Sequence, residues 1–165
     1  PLSRPLPPSL AAEVARRVPS AVHLHYPDLH APDCLERLRS LRPDLGLVFG
    51  CYVLRRSVFA IPRLGTLNLH LGKAPEFRGS SPGFYELLAG VPEVGVTVHR
   101  GNDGLDSGPI VVQRSVRVLD GDTERALAAR ILETEHQAYP EALRRLLTEP
   151  WKVEGRRLVF TADAP

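Results

Sequence analysis

Residues 45–70 read LGLVFGCYVLRRSVFAIPRLGTLNLH, and the punctuation of this stretch decides the fold. Leu45-Gly46-Leu47-Val48-Phe49 is a continuous apolar run bounded by turn residues, as expected for a strand buried on both faces. Thr66-Leu67-Asn68-Leu69-His70 reads as a second strand, and a short irregular segment, 50–63, joins the two. Upstream, Ala21-Val22-His23-Leu24-His25 alternates and predicts another strand. Pro32-Asp33 open a helix with Leu35, Leu38 and Leu41 near one face, ended by Pro43. Ser9 is placed to cap a helix over Ala11–Val18. Downstream, Gly72, Pro75 and Gly79 make Leu71–Ser80 a loop. Ser81 and Pro82 start a helix carrying Phe84, Tyr85, Leu87 and Leu88. Val94–Arg100 and Ile110–Leu119 read as strands paired across the loop Gly101–Gly108. Asp122 caps a helix from Thr123, with Leu127, Ile131 and Leu132 apolar. Pro140 kinks or splits that helix, and Glu141–Leu147 completes it. Arg157–Phe160 is a short terminal strand.

Strands alternating with helices from residue 21 to residue 90 predict an α/β domain with a mainly parallel sheet. Residues 1–8, PLSRPLPP, read as a proline-rich arm, and 9–165 as one domain. Doubly wound folds begin with an apolar strand and a glycine turn, which residues 1–19 do not supply, so the first strand–helix unit reads as missing. The sheet is then expected to end at the 21–25 strand or one strand beyond it. The exposed edge this leaves favours a homo-oligomer or another partner.

The composition narrows the classes further. Of 165 residues, 43% are hydrophobic and 24% charged, enough to bury a core and to exclude intrinsic disorder. The formal net charge is +2 with no basic run, which argues against a nucleic-acid partner. No apolar stretch approaches the roughly 20 residues of a membrane span. Cys34 and Cys51 are too few for a disulfide framework and lack metal-site spacing, so a reducing cytoplasm is the expected compartment. The sequence has no methionine, which implies a chain processed or cut from something longer.

Three polar groups sit at strand ends beside glycine loops: Asn68, His70 and Asp106. Residues two apart on a strand share a face, so Asn68 and His70 converge at the end of theirs. Asp106 lies in the tight turn Leu105-Asp106-Ser107-Gly108-Pro109. If that turn comes over the sheet edge, its carboxylate reaches His70, favouring the charged ring and fixing its orientation. With the neutral donor of Asn68, the set suits a carbonyl that becomes a tetrahedral oxyanion. Taken alone, the same residues admit a plainer reading: Asn68 and Asp106 satisfy turn backbones and His70 is a core histidine.

Longer strings add context. Gly65-Thr66-Leu67-Asn68-Leu69-His70, Pro75-Glu76-Phe77-Arg78-Gly79, Ser81-Pro82, Gly95-Val96-Thr97-Val98-His99 and Leu105-Asp106-Ser107-Gly108-Pro109-Ile110 follow one another in order. In them the stretch from Asp44 to Leu119 resembles the folate-dependent formyltransferase family, and the resemblance weakens toward both ends. It implies a Rossmann-like formyltransferase fold, with Asn68 and His70 of the N-x-H motif and Asp106 of the L-D-x-G motif as catalytic residues. It implies 10-formyltetrahydrofolate as formyl donor, an amine as acceptor, and no metal. It places the pterin between Cys51, Tyr52, Val53, Leu54 and Arg55 on one side and Asn102, Asp103 and Gly104 on the other. Leu71-Gly72-Lys73-Ala74-Pro75 departs from the family's usual Pro-Ser-Leu-Leu-Pro. Arg78-Gly79-Ser80-Ser81-Pro82 looks like the methionyl-tRNA and sugar-amine enzymes, and Glu135-His136-Gln137-Ala138-Tyr139-Pro140 like the glycinamide ribonucleotide enzymes, so the chain sits between subfamilies. The resemblance also leaves room for a hydrolase using water as acceptor, or a non-catalytic folate-binding remnant.

The remaining candidates read as structural. His23, His25 and His30 form H-x-H-x4-H, a metal pattern whose plainer reading is a half-buried strand and a solvated loop. His99 and His136 read as structural, Cys51 as an inert thiol. Arg37, Arg39 and Arg42 form a solvated helix face, and Arg78 either pins its loop or serves the site.

Overall fold

The computed structural model describes residues 8–79 and 84–161. In chain order the elements are α1 (Pro8–Arg17), α2 (Pro32–Leu41), β1 (Gly46–Val48), α3 (Arg56–Phe59), β2 (Thr66–His70), α4 (Phe84–Leu88), β3 (Glu93–Arg100), β4 (Ile110–Arg117), α5 (Glu124–Thr148), β5 (Trp151–Glu154) and β6 (Arg157–Phe160). The expected arm over residues 1–7 and the helix start at Ser81-Pro82 lie outside the described residues. Pro8 belongs to α1 rather than to an arm.

The strands form one sheet in the order β1-β2-β3-β4-β6-β5. β1 pairs parallel with β2, and β4 with β6; the β2/β3, β3/β4 and β5/β6 pairings are antiparallel. Four strands (β1, β2, β4, β6) therefore point one way and two point back. That common direction matches the α/β expectation, but the pairing is more mixed than the sequence predicted. After β2 the chain doubles back through the 71–79 loop, so β3 returns antiparallel instead of crossing over.

The expected strand at Ala21–His25 is absent. Those residues take no regular structure, with Val22 69% and Leu24 46% exposed. An alternating run becomes a strand only when a neighbour satisfies its backbone, and among the described residues none lies there. β1 is one edge of the sheet, with Leu47 on it and Phe49 just after it exposed. The helix after β4 starts one residue later than expected. Thr123, not Asp122, is the cap, its hydroxyl accepting from the Ala126 N–H at 3.2 Å. Asp122 instead accepts from the Leu119 N–H at 2.7 Å and pairs with Arg130. Pro140 does not split α5, because the buried face continues across it through Ala138, Tyr139, Ala142 and Leu146.

Strand periodicity sorts the two faces of the sheet. Val94, Val96 and Val98 of β3 and Val112 and Val116 of β4 join Leu127, Ile131, Ala142 and Leu146 of α5 in the core. Tyr139 locks α5 to the sheet: its hydroxyl accepts from the Val48 N–H at 3.1 Å and lies 3.1 Å from the Leu67 carbonyl. Burial there pushes the phenol up to about 12, so it stays a donor. The other face carries Asn68, His70, Thr97 and His99 and is roofed by the 71–79 loop. The Thr97 hydroxyl donates to the Gly72 carbonyl at 2.7 Å and accepts from the Ala74 N–H at 3.2 Å, while Gln113 Nε2 donates to the Ala74 carbonyl at 2.8 Å. These polar ties fix the loop over the end of β2.

Two glycines allow the close approaches this needs. A Cβ on Gly72 would lie 2.5 Å from His70 Nε2 and 2.8 Å from the Phe77 carbonyl oxygen. A Cβ on Gly108 would collide with the Arg100 carbonyl oxygen, between backbones that neither strand can move cheaply. Gly108→Ala is accordingly expected to cost about 1–3 kcal/mol, the scale of overpacking, read as a lower urea midpoint at unchanged slope. A midpoint within error of the parent would contradict this packing.

Candidate active site

β2 delivers Asn68 and His70 to one face, and β3 lays His99 directly opposite Asn68. The loop after β3 then turns back over both. Asp106 sits in it with φ +43°, a left-handed conformation that Asp tolerates better than most residues. This places one carboxyl oxygen against each histidine. Asp106 Oδ2 lies 3.5 Å from His70 Nδ1 and accepts from the Gly79 N–H at 3.0 Å. Asp106 Oδ1 accepts from Asn68 Nδ2 at 3.2 Å and lies 3.3 Å from His99 Nε2. The side chains of His70, His99 and Asp106 are 8%, 5% and 11% exposed, so their mutual contacts are little screened by water.

The hydrogen-bond partners constrain the protons. His70 Nε2 lies 2.7 Å from the Phe77 carbonyl oxygen, which only accepts, so Nε2 carries a proton. Its Nδ1 faces the Asp106 carboxylate. The doubly protonated ring satisfies both acceptors, whereas a neutral ring would aim a bare lone pair at an oxygen. His99 Nδ1 faces the Arg100 carbonyl at 3.0 Å and donates to it. Its Nε2, 3.2 Å from Asn68 Nδ2, accepts from Asn68 or donates to Asp106 according to its protonation. His99 thereby holds Asn68 and Asp106 in register.

Burial alone would raise the Asp106 carboxyl. The His99 ring, the Gly79 N–H and the charges of His70 and His99 outweigh it and hold the group below the ordinary carboxylate range. A folded-state value below the unfolded one means that this contribution to stability is fully present above the unfolded value, near 3.9, and is lost as pH falls through the folded value. Unfolding free energy, followed by urea titration at stepped pH, is expected to fall below about pH 4. Asp106→Asn should flatten that acid limb. An acid limb of equal slope in the variant would count against the assignment.

Asn68, His70 and Asp106 border a cavity of about 500 Å³. Seven of the eight other residues expected there line it: Cys51, Tyr52, Val53 and Leu54 on one wall, and Asn102, Asp103 and Gly104 on the other. Arg55 does not line it. Its side chain is exposed, and its backbone N–H donates to His30 Nε2 at 3.0 Å. Phe59 and Thr66 close the floor, which the sequence did not indicate. The sequence also missed His99, read as structural; its place opposite Asn68 in the β2/β3 register was the signal that could have found it. Desolvation outweighs the Tyr52 N–H and pushes the Cys51 thiol above its ordinary value, against a nucleophile's role. Arg78 Nε donates to the Pro75 carbonyl at 2.8 Å, which pins its own loop. Arg37, Arg39 and Arg42 are exposed, as a solvated face requires. His23, His25 and His30 do not gather, and among the described residues no group of three His, Cys, Asp or Glu is placed to hold a metal. No helix among the described residues is long and apolar enough to cross a membrane.

A mixed sheet with an Asn/His/Asp cluster at a strand end, beside a cavity walled by two loops, defines the class to which the comparisons lead. The chain matches the formyl transferase family over residues 6–143, and it belongs to that family. A methionyl-tRNA formyltransferase from Chloroflexus aggregans is 42% identical over 112 residues, 67% of this chain and 35% of that protein. Another, from Geobacter metallireducens, is 33% identical over 83% of this chain and 44% of its own length. The chain thus spans less than half the length of these relatives. Among solved structures, glycinamide ribonucleotide transformylase 1 from Symbiobacterium toebii superposes with a TM-score of 0.78 at 37% identity, covering 90% of this chain and 73% of that one. A formyltetrahydrofolate deformylase from Pseudomonas syringae pv. tomato gives 0.77 at 22% identity over 92% of this chain and 53% of its own, a likeness of fold. The sequence relatives and the structural neighbours fall in different branches, consistent with a chain between subfamilies.

Proposed function

We propose that this chain carries the catalytic centre of a formyltransferase that moves the formyl group of 10-formyltetrahydrofolate to an amine. The observation that carries the reading is the convergence of Asn68, His70 and Asp106 at the mouth of the cavity walled by 51–54 and 102–104. The cavity fits the donor's bicyclic ring: about 500 Å³, partly apolar, with two runs of loop backbone to meet ring nitrogens. Bound there, the donor supplies an activated formyl carbon. The acceptor nitrogen forms a bond to that carbon while the carbonyl electrons move to oxygen, and the folate nitrogen then leaves with its electron pair. Asn68 donates to the oxyanion, exchanging one of its present partners for it, and charged His70 stabilises it electrostatically. Asp106 holds His70 charged and accepts the amine proton through water for return to the leaving nitrogen. The products are the N-formyl acceptor and tetrahydrofolate. A place in one-carbon metabolism and a cytoplasmic location follow from this reading, with the acceptor a primary amine on a small molecule, and no metal in the reaction.

The test is release of tetrahydrofolate from 10-formyltetrahydrofolate by the full protein, with and without a panel of primary amines that includes glycinamide ribonucleotide and methionyl-tRNA. Release that depends on an amine, matched by formyl incorporation, is the expected result. Amine-independent formate production would replace the transferase reading with a hydrolase, and folate binding without turnover would leave a binding module.

A further inference from the structure

The histidine pattern of residues 23–30 has one member with a defined structural task. His30 is largely sheltered, its side chain 15% exposed. Its Nε2 lies 3.0 Å from the backbone N–H of Arg55, which can only donate, so Nε2 must present a lone pair. The ring proton is then on Nδ1, which faces Asp28 Oδ1 at 3.3 Å. Asp28 is itself fixed, accepting from the His30 N–H at 2.8 Å, and that bond holds its carboxyl below the usual range. Two further contacts join the same pair of segments. Tyr52 Oη accepts from the Leu29 N–H at 2.8 Å, and the His30 and Tyr52 rings lie 5.6 Å apart. Arg55 is the N-cap of α3, so its N–H marks the point where the cavity wall 51–54 passes into that helix.

We propose that His30 is a positioning residue of the donor site: as a neutral ring accepting from the Arg55 N–H, it latches the 28–30 turn onto the 51–55 segment and holds the cavity wall in place. The proposal rests on the reading of that cavity as the folate site. The groups facing the ring are the Asp28 carboxylate, the Tyr52 ring and the Arg55 backbone, with the Arg55 guanidinium acting on Asp28. His30 thus bears on donor affinity through the cavity wall, without touching the reacting atoms.

Two substitutions separate this from a merely structural role. His30→Ala removes the acceptor; His30→Gln keeps one in its amide oxygen. Loss of one such bond is expected to weaken tetrahydrofolate binding by about three- to tenfold in His30→Ala, with kcat at saturating donor little changed. His30→Gln should restore affinity. Amide exchange at Arg55 gives a readout that needs no ligand: slow in the parent at pH 8, faster in His30→Ala, slow again in His30→Gln. Retained folate binding with equal Arg55 exchange in parent and His30→Ala would overturn the latch alone. Affinity in His30→Gln as low as in His30→Ala would overturn the acceptor role of the ring nitrogen. No folate binding by the parent protein would overturn the donor reading and this proposal with it.

Discussion

Asp106→Asn should lower kcat for formyl transfer by about 10³, within the 10²–10⁴ that positioned acid–base groups contribute. The substitution nearly keeps the shape of the side chain. It removes the negative charge that faces Nδ1 of His70, and it leaves a single acceptor oxygen where Asp106 has two, one serving Asn68 and His99 and the other the Gly79 N–H. His70 then loses the partner that favours its charged form, and the amine proton loses its destination. Folate affinity should change far less, because these interactions act on charge that develops only in the transition state. Steady-state kinetics at saturating donor, alongside folate affinity by titration, separates the two effects. Unchanged kcat would remove Asp106 from the mechanism.

Asn68→Ala is expected to cost about 10²–10³ in kcat, the usual scale for one oxyanion donor. The variant also leaves Asp106 Oδ1 with His99 as its remaining side-chain partner and opens a small gap between β2 and the 101–108 loop. Folding should survive, since Asn68 is only partly buried and the strand pairing of β2 does not use its side chain. Asn68→Asp makes a useful contrast: it fills the gap but places a carboxylate against Asp106, and should be at least as inactive. Full activity in Asn68→Ala would leave the oxyanion without the donor assigned to it.

Much of this was legible in the sequence because it depends on short-range patterns. The i, i+2 spacing of Asn68 and His70 on a strand fixes their common face without tertiary information. The glycines of the 72 and 108 turns mark close backbone approaches, and both occur where a Cβ has no room. Local alternation failed at Ala21–His25, where Val22 and Leu24 meet solvent instead of a neighbouring strand. Pairing is a property of two segments, and one segment's pattern cannot supply it. The same limit explains the direction of β3 and the missed strand β5, whose exposed residues carry little alternation. At the site, His99 was overlooked because its function lies in register: it faces Asn68 across the sheet and reaches Asp106 seven residues later through a reversing loop. The resemblance puts Arg55 on the cavity wall with 51–54, but at the N-cap of α3 its side chain is exposed and outside the cavity.

A double-mutant cycle in the full protein measures most directly whether Asn68, His70 and Asp106 act as one centre. Formyl transfer from 10-formyltetrahydrofolate to the preferred amine would be followed for the parent, Asn68→Ala, Asp106→Asn and the double variant, with folate affinity in parallel. Groups serving one transition state are not additive, so the double variant should be little slower than the worse single one, with folate still bound. Losses that multiply through the cycle, or a single variant that turns over like the parent, would contradict it.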